Sequence, residues 1–423
     1  MNLSNNTKAI LLLTSYFSKA SKETEKPLTN SEWGKFALWL KENNLVPESL
    51  LHGDAKQLLT TWSDPKITSD RIVTLLNRGH SLALAAEKWA RAGIWVLTRS
   101  DVEYPWRLKS RLKTSSPPVL FGCGNKELLN SGGIAVIGSR NAPIKDIKYT
   151  ERFGAKAACN HINIVSGASR GVDEAAMLGA IQAGGSVLGV LSEDLLRAVT
   201  SLKWRQSIMN GNAVLVSPFY PEAGFNAGNA MGRNKYIYCL ADTALVVHSG
   251  NKGGTLSGAN ENLRNRWVPL WVKPTMDKDS ANALLVDKGG SWSAQDIAAI
   301  DIRQMLCINT DRTQGGNGEQ PDLFSAPPQP EGDETKQAKN KKALTSNDTA
   351  NVNIDERSIA EFDFFNIFKV KLEKLAATPI TLEELVTETK LHKSQLNDWL
   401  KRAVEEGCLN KLTRPVRYQY KSD

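Results

Sequence analysis

Cysteine and histidine are scarce, with five of each in 423 residues. The cysteines, Cys123, Cys159, Cys239, Cys307 and Cys408, lie far apart, and no two form a CxxC pair. That spacing predicts five reduced thiols in a cytoplasmic protein rather than a disulfide scaffold. The histidines are scattered and no HExxH occurs, which argues against a zinc site; neither metal nor cofactor is expected. Long apolar runs are missing as well. The N-terminal stretch Ala9–Leu13 is too short to cross a bilayer or to serve as the core of a signal peptide, so no membrane association is expected. GxGxxG and the Walker A lysine motif are both absent. Dinucleotide hydride transfer and conventional NTP hydrolysis are disfavoured accordingly.

The composition that remains is that of a folded, multidomain chain. Hydrophobic residues make up 41%, and Lys plus Arg outnumber Asp plus Glu by 53 to 45. This is a mild basic excess, consistent with a polyanionic partner. Four regions follow from texture: a helical domain over 1–93, an α/β domain with its lead-in over 94–309, a disordered linker over 310–357 and a compact C-terminal domain over 358–423. In the first, Trp33, Phe36, Ala37 and Leu40 recur at helical spacing behind Ser31, a candidate N-cap. Leu82, Ala85, Ala86 and Trp89 share the face of a second helix that stops at Gly93.

From Gly93 the chain offers a short strand in "GIWVLT" and an extended segment in "SSPPVLFGCG". Continuous apolar runs then recur at Ile134–Ile137, Ile162–Val165, Val187–Val190, Ala213–Val216, Ala244–Val247 and Pro269–Val272, separated by helical stretches. Continuous rather than alternating runs are what a parallel sheet covered on both faces requires. The fold expected is an α/β Rossmann-like, doubly wound parallel sheet. In the last domain Thr381 and Glu384 form a capping box, and Ser394 caps a second helix with the stripe Leu396, Leu400, Ala403 and Val404. "CLNKLTRPVRYQY" adds two β-runs, giving the order of a winged helix-turn-helix.

Ligands of open α/β sheets bind beyond the carboxyl ends of the strands. Three loops there are rich in glycine and donors: Gly138, Ser139 and Arg140; then Ser166, Gly167, Arg170, Gly171 and Asp173; then Lys252, Gly253, Gly254, Thr255 and Ser257. A fourth segment carries Arg233, Asn234 and Lys235. Glycine lets backbone approach an anion closely, and exposed N–H groups attract negative charge. No Ser-His-acid or Cys-His set stands near these loops, so no catalytic residue is assigned. His248 reads as a structural strand-end histidine, and Asp173 as an acid that orders Arg170.

The segments "AVIGSR" (Ala135–Arg140), "IVSGASRGVDEAA" (Ile164–Ala176), "GRNKYIYCLADTALVV" (Gly232–Val247) and "GGTLSGANE" (Gly253–Glu261) resemble the DprA/Smf family of DNA-processing proteins, within the superfamily of Rossmann-like nucleotide-ligand folds. The resemblance covers about 93–273 and again about 365–420. It implies single-stranded DNA binding, delivery of that DNA to the RecA recombinase in DNA recombination and natural transformation, and a homodimer formed through the Rossmann domain. Carried over by motif, it makes Arg140, Ser166, Gly167, Arg170, Gly171, Asp173, Arg233, Asn234 and Lys235 binding positions. Met177 departs from the histidine of many relatives, and Lys235 from the usual arginine, which weakens bidentate phosphate gripping. The linker and N-terminal helices look longer than the family's. Such a divergent member could serve phage defence or a toxin–antitoxin module instead. Nucleoside-monophosphate hydrolases of the superfamily carry a GGxGTxxE loop whose spacing "GGTLSGANE" lacks. The alternative reading is a sensor of a small nucleotide ligand. In the linker, Gln320, Leu323 and Phe324 of "QPDLF" resemble the short peptides by which bacterial proteins dock on the replicative sliding clamp.

Overall fold

The computed structural model describes residues 3–307 except 19–22 and 24, and a C-terminal set within 368–420 that leaves out 370–371, 374, 390–395, 397–398, 401, 405 and 414–415. Two compact units result, 1–330 and 331–423. The linker, with Gln320, Leu323 and Phe324, lies outside the described residues, as does Ser394.

The first unit begins with helices α1 (Asn5–Thr14), α2 (Asn30–Glu42), α3 (Ala55–Leu58), α4 (Ser69–Leu76) and α5 (Gly79–Arg91). The apolar stretch Ala9–Leu13 is buried in α1. Trp33, Phe36, Ala37 and Leu40 are buried in α2, as their spacing predicts. The cap differs from expectation. Ser31 lies inside α2, because Thr29 and Glu32 cap reciprocally: Glu32 N donates to Thr29 Oγ1 at 3.3 Å and Thr29 N to Glu32 Oε2 at 2.8 Å. Helix α5 stops where expected, with Gly93 at φ +71° and Ile94 N donating back to Trp89 O at 2.9 Å. Trp89 meets Phe121 edge-on at 4.9 Å between ring centroids. The helices therefore share a core with the sheet.

That sheet has nine strands in the order β1-β2-β6-β5-β4-β3-β7-β8-β9: β1 (Trp95–Thr98), β2 (Val119–Gly124), β3 (Ile134–Ile137), β4 (Ile164–Ser166), β5 (Val187–Val190), β6 (Ala213–Ser217), β7 (Thr243–Val246), β8 (Leu270–Val272) and β9 (Ser291–Trp292). Strands β3 to β9 are mutually parallel, and the lead-in adds β2 and β1 antiparallel beside β6. Between them run α6 (Trp106–Leu112), α7 (Ile144–Cys159), α8 (Val172–Gln182), α9 (Leu195–Thr200), α10 (Leu202–Met209), α11 (Ala227–Leu240), α12 (Gly254–Asn265), α13 (Asn282–Asp287) and α14 (Ile302–Cys307).

Strand β3 shows the double winding within four residues. Ile134 and Val136 join the apolar cluster of α7 and α8, whereas Ala135 and Ile137 join that of α11 on the other face. Helices α7 and α8 touch backbone to backbone. A Cβ on Gly154 would lie 2.2 Å from Ala176 O, and one on Gly179 would lie 2.1 Å from Glu151 O. The chain winds outward from β3 through β4, β5 and β6, then returns to the other side as β7. The switch point thus falls between β3 and β7, where loops part and leave a crevice at the carboxyl edge.

In the second unit, α15 (Leu382–Thr389) follows its capping box, with Glu384 N donating to Thr381 Oγ1 at 3.3 Å. Strands β10 (Leu409–Thr413) and β11 (Val416–Tyr420) form an antiparallel hairpin. Phe368, Leu372, Leu385, Leu396, Leu400 and Ala403 are buried together, so the stripe read from the sequence does face a core.

Candidate nucleic-acid interface

The residues read from the sequence gather at the carboxyl edge in two layers. The inner layer is buried. Arg233 projects from α11 beneath the ends of β4 and β5, where Nη1 donates to Gly167 O at 2.5 Å and also to Val190 O. Its Nη2 donates to Ser169 Oγ at 3.1 Å and lies 3.7 Å from Asp173 Oδ2. Arg233 is only 3% exposed and Asp173 5%. Burial lifts the Asp173 carboxyl from 3.8 to about 6, against the Arg233 charge and backbone N–H groups of Gly138 and Gly167 that pull it down. Burial likewise holds the Arg233 guanidinium below its usual range. Asp173 Oδ1 and Arg233 Nε have no hydrogen-bond partner among the described residues. Gly167 seals the pair, since a Cβ there would lie 2.3 Å from both the Arg233 and Asp173 side chains.

Two expectations change. Arg233 is not a solvent-facing cation, because its guanidinium is turned inward to satisfy strand-end carbonyls. Asp173 does not order Arg170; its neighbour is Arg233, and Arg170 Nη2 donates instead to Asn141 Oδ1 at 3.1 Å. Ser166 is also internal, donating to Val136 O at 2.5 Å. Asn234 is buried and ties α11 to the next loop through Gly254 O at 2.9 Å.

The outer layer faces solvent. Arg140 and Arg170 are exposed on the loops after β3 and β4. The first loop is held at the switch point by Ser139 N donating to His248 O at 2.9 Å. Gly171 adopts φ +97° where a Cβ would lie 2.6 Å from Ser139 O, so only glycine lets these two loops pass. Ala168 sits at φ +52°, backbone strain of the kind found at ligand sites. Lys252, Gly253 and Ser257 are exposed, Gly254 and Thr255 half-buried, around the start of α12. Lys235 is half-buried with Nζ 5.1 Å from the Tyr236 ring centroid. Met177 is fully buried in α8. His248 is structural, with Nδ1 3.1 Å from Asp146 Oδ2.

Beside this layer opens a cleft of about 550 Å³. Gly167, Ser169, Arg197, Lys203, Trp204 and Phe225 line it, and sequence reasoning missed the last four. Phe225 is 61% exposed, and the Arg140 guanidinium stands 5.2 Å from its ring centroid. Its signal was an aromatic in the polar run just ahead of the Arg233 segment. Glu193 and Asp194 also line the cleft, and Lys203 pairs with Glu174.

The fold is thus that of a Rossmann-like, mostly parallel α/β domain with its switch point between β3 and β7. Residues 95–300 match the family model of DNA recombination-mediator protein A, and over that stretch the chain is similar to the DprA/Smf family. DNA processing protein DprA of Streptococcus pneumoniae is 30% identical over 155 residues, which are 36% of this chain and 54% of that protein. Protein Smf of Escherichia coli is 27% identical over 234 residues, 52% of this chain and 61% of that protein. The chain therefore matches between half and two thirds of the length of these relatives. The X-ray structure of DprA from Streptococcus pneumoniae aligns with a TM-score of 0.52 at 20% identity, over 71% of this chain and 99% of that one. The fold is common to both. No helix among the described residues is long and apolar enough to cross a membrane.

Proposed function

We propose that this protein binds single-stranded DNA along the carboxyl edge of its sheet and acts as a recombination mediator, delivering the strand to the RecA recombinase without itself catalysing a reaction. One observation carries the reading: Arg140 and Arg170 stand exposed on adjoining loops over a buried Arg233–Asp173 layer. Arg140, Arg170, Lys235 and Lys252 contact phosphates, and Phe225 offers a face for a base. Arg233, Asp173, Ser166 and Asn234 position the loops rather than touch DNA. The glycines at 138, 167, 171, 253 and 254, with Ser139, Thr255 and Ser257, supply close backbone approach and donors. A homodimer through the Rossmann domain, a winged-helix fold for the C-terminal unit and clamp docking through Gln320, Leu323 and Phe324 complete the proposal. Gel shifts with single- and double-stranded oligonucleotides across a salt series test it. Single strands bind better at equal length and lose affinity steeply with salt; equal binding of duplex, or none of either, contradicts it.

The cleft volume favours a second reading. About 550 Å³ lies within the range of small-ligand pockets, so a nucleotide sensor would fit. A sensor binds mononucleotides better than oligonucleotides, and a mediator the reverse.

A further inference from the structure

On the other side of the switch point lies a second concavity that the family motifs do not reach. It measures about 380 Å³ and opens between the first half of α7 and the loops that follow β8 and β9. Its floor is a buried cluster. Asp146 is fully buried, with Oδ1 3.0 Å from Lys273 Nζ and Oδ2 3.1 Å from His248 Nδ1. Lys273 also donates to Pro274 O at 3.2 Å and stands 5.0 Å from the Tyr149 ring centroid. Asp277 approaches the far side of His248 at 3.7 Å. Lys156 Nζ donates to Ile297 O at 2.7 Å and to Ala298 O at 3.0 Å, closing the far end. These bonds fix α7 against the ends of β7 and β8 and use up the Asp146 charge.

The rim is basic and unspent. Lys145, Lys148 and Arg152 are exposed, line the concavity, and have no ion-pair partner among the described residues. Spacings of three, four and seven residues put them on one helical face, over about 10 Å of axis. Like charges so placed repel and weaken a helix, a cost that an anionic ligand would relieve. The facing wall offers one carboxylate at the rim, Asp296, whose Oδ1 accepts from Ala298 N at 3.1 Å. Glu151 is not part of the lining. The exposed Met276 gives the rim an apolar surface on which a base can lie.

We infer that this concavity is a second phosphodiester subsite, which takes the continuation of the strand held by Arg140. Position supports continuity, because Lys145 follows Arg140 by five residues across the turn that starts α7. A strand crossing the switch point from the Phe225 cleft meets Arg140 and then the α7 row. The inference rests on the single-strand reading above, deepening it from one cleft to a path over both wings of the edge.

The test uses the full chain, oligothymidylates of graded length and thymidine monophosphate. Lys148→Glu with Arg152→Glu leaves the shortest bound oligomers unaffected, weakens longer ones and lowers the magnitude of their log–log salt slope by about 1.4, at roughly 0.7 per contact. The milder Lys148→Ala with Arg152→Ala shifts affinity the same way by less. Lys41→Glu with Lys66→Glu, an equal charge change elsewhere, leaves the length dependence intact. The subsite is overturned if the α7 variants bind long oligomers as wild type does while Arg140→Glu weakens them. It is equally overturned if the variants lose all lengths alike, or lose only the mononucleotide. If Arg140→Glu is also without effect, the single-strand reading itself fails.

Discussion

At the scale of single residues, Arg233 and Asp173 decide what kind of site this is. Both are buried, and desolvation moves each toward its neutral form. Such a pair contributes little net stability, yet removing one partner strands the other in a low dielectric. Arg233→Met should therefore cost about 3–5 kcal/mol of folding stability, read from the urea midpoint; a variant as stable as wild type would contradict the inward orientation. The sign of the pH dependence follows from Asp173. Its carboxyl rises from 3.8 in the reference state to about 6 when folded, so the folded protein holds that proton more tightly. This contribution favours folding at low pH and is lost as pH rises from about 4 to 6. Asp173→Asn removes it, and the variant's stability should change less across that window; identical pH profiles would refute the assignment. The orientation of Arg233 was not legible beforehand. "GRNKY" reads as a basic surface segment, and only the burial of α11 on β4 and β5 shows that the charge turns inward.

At the scale of elements, strands β3 to β8 were legible because each is apolar on both faces, and their continuous runs match the structure within two residues at either end. Strand β9 was not: two half-polar residues, Ser291 and Trp292, carry no pattern. The pairing of β2 between β1 and β6 was also hidden, since an extended segment after prolines does not state which partner it finds. The contact of α7 with α8 depends on glycine in a way spacing alone does not reveal. Gly179→Val should destabilise by about 1–3 kcal/mol, because a side chain there meets the Glu151 carbonyl and the helices must part. Thermal denaturation checks this, and an unchanged midpoint would mean the helices are further apart. Because α7 carries Asp146 and begins just after Arg140, the same variant should also weaken DNA binding.

For the whole molecule, a net charge of +8 over 423 residues is too dilute to bind nucleic acid by itself, and affinity must come from cations gathered at one edge. In the C-terminal unit, residues 358–423 hold 11 Lys and Arg, but 10 Asp and Glu offset them. Glu406 accepts from Arg402 Nε and Lys369 Nζ, each at 2.9 Å, so this acid engages two of those bases. Deleting 358–423 should leave single-strand affinity within a few-fold, and a collapse of binding would move the interface to that unit. The most direct test of the central claim is the salt dependence of single-strand binding by Arg140→Glu with Arg170→Glu. Both side chains are exposed, so the variant should fold as wild type does. The account predicts weaker binding to every sequence and a log–log slope reduced in magnitude by about 1.4 for two lost phosphate contacts. A folded variant with unchanged affinity and unchanged slope would contradict it.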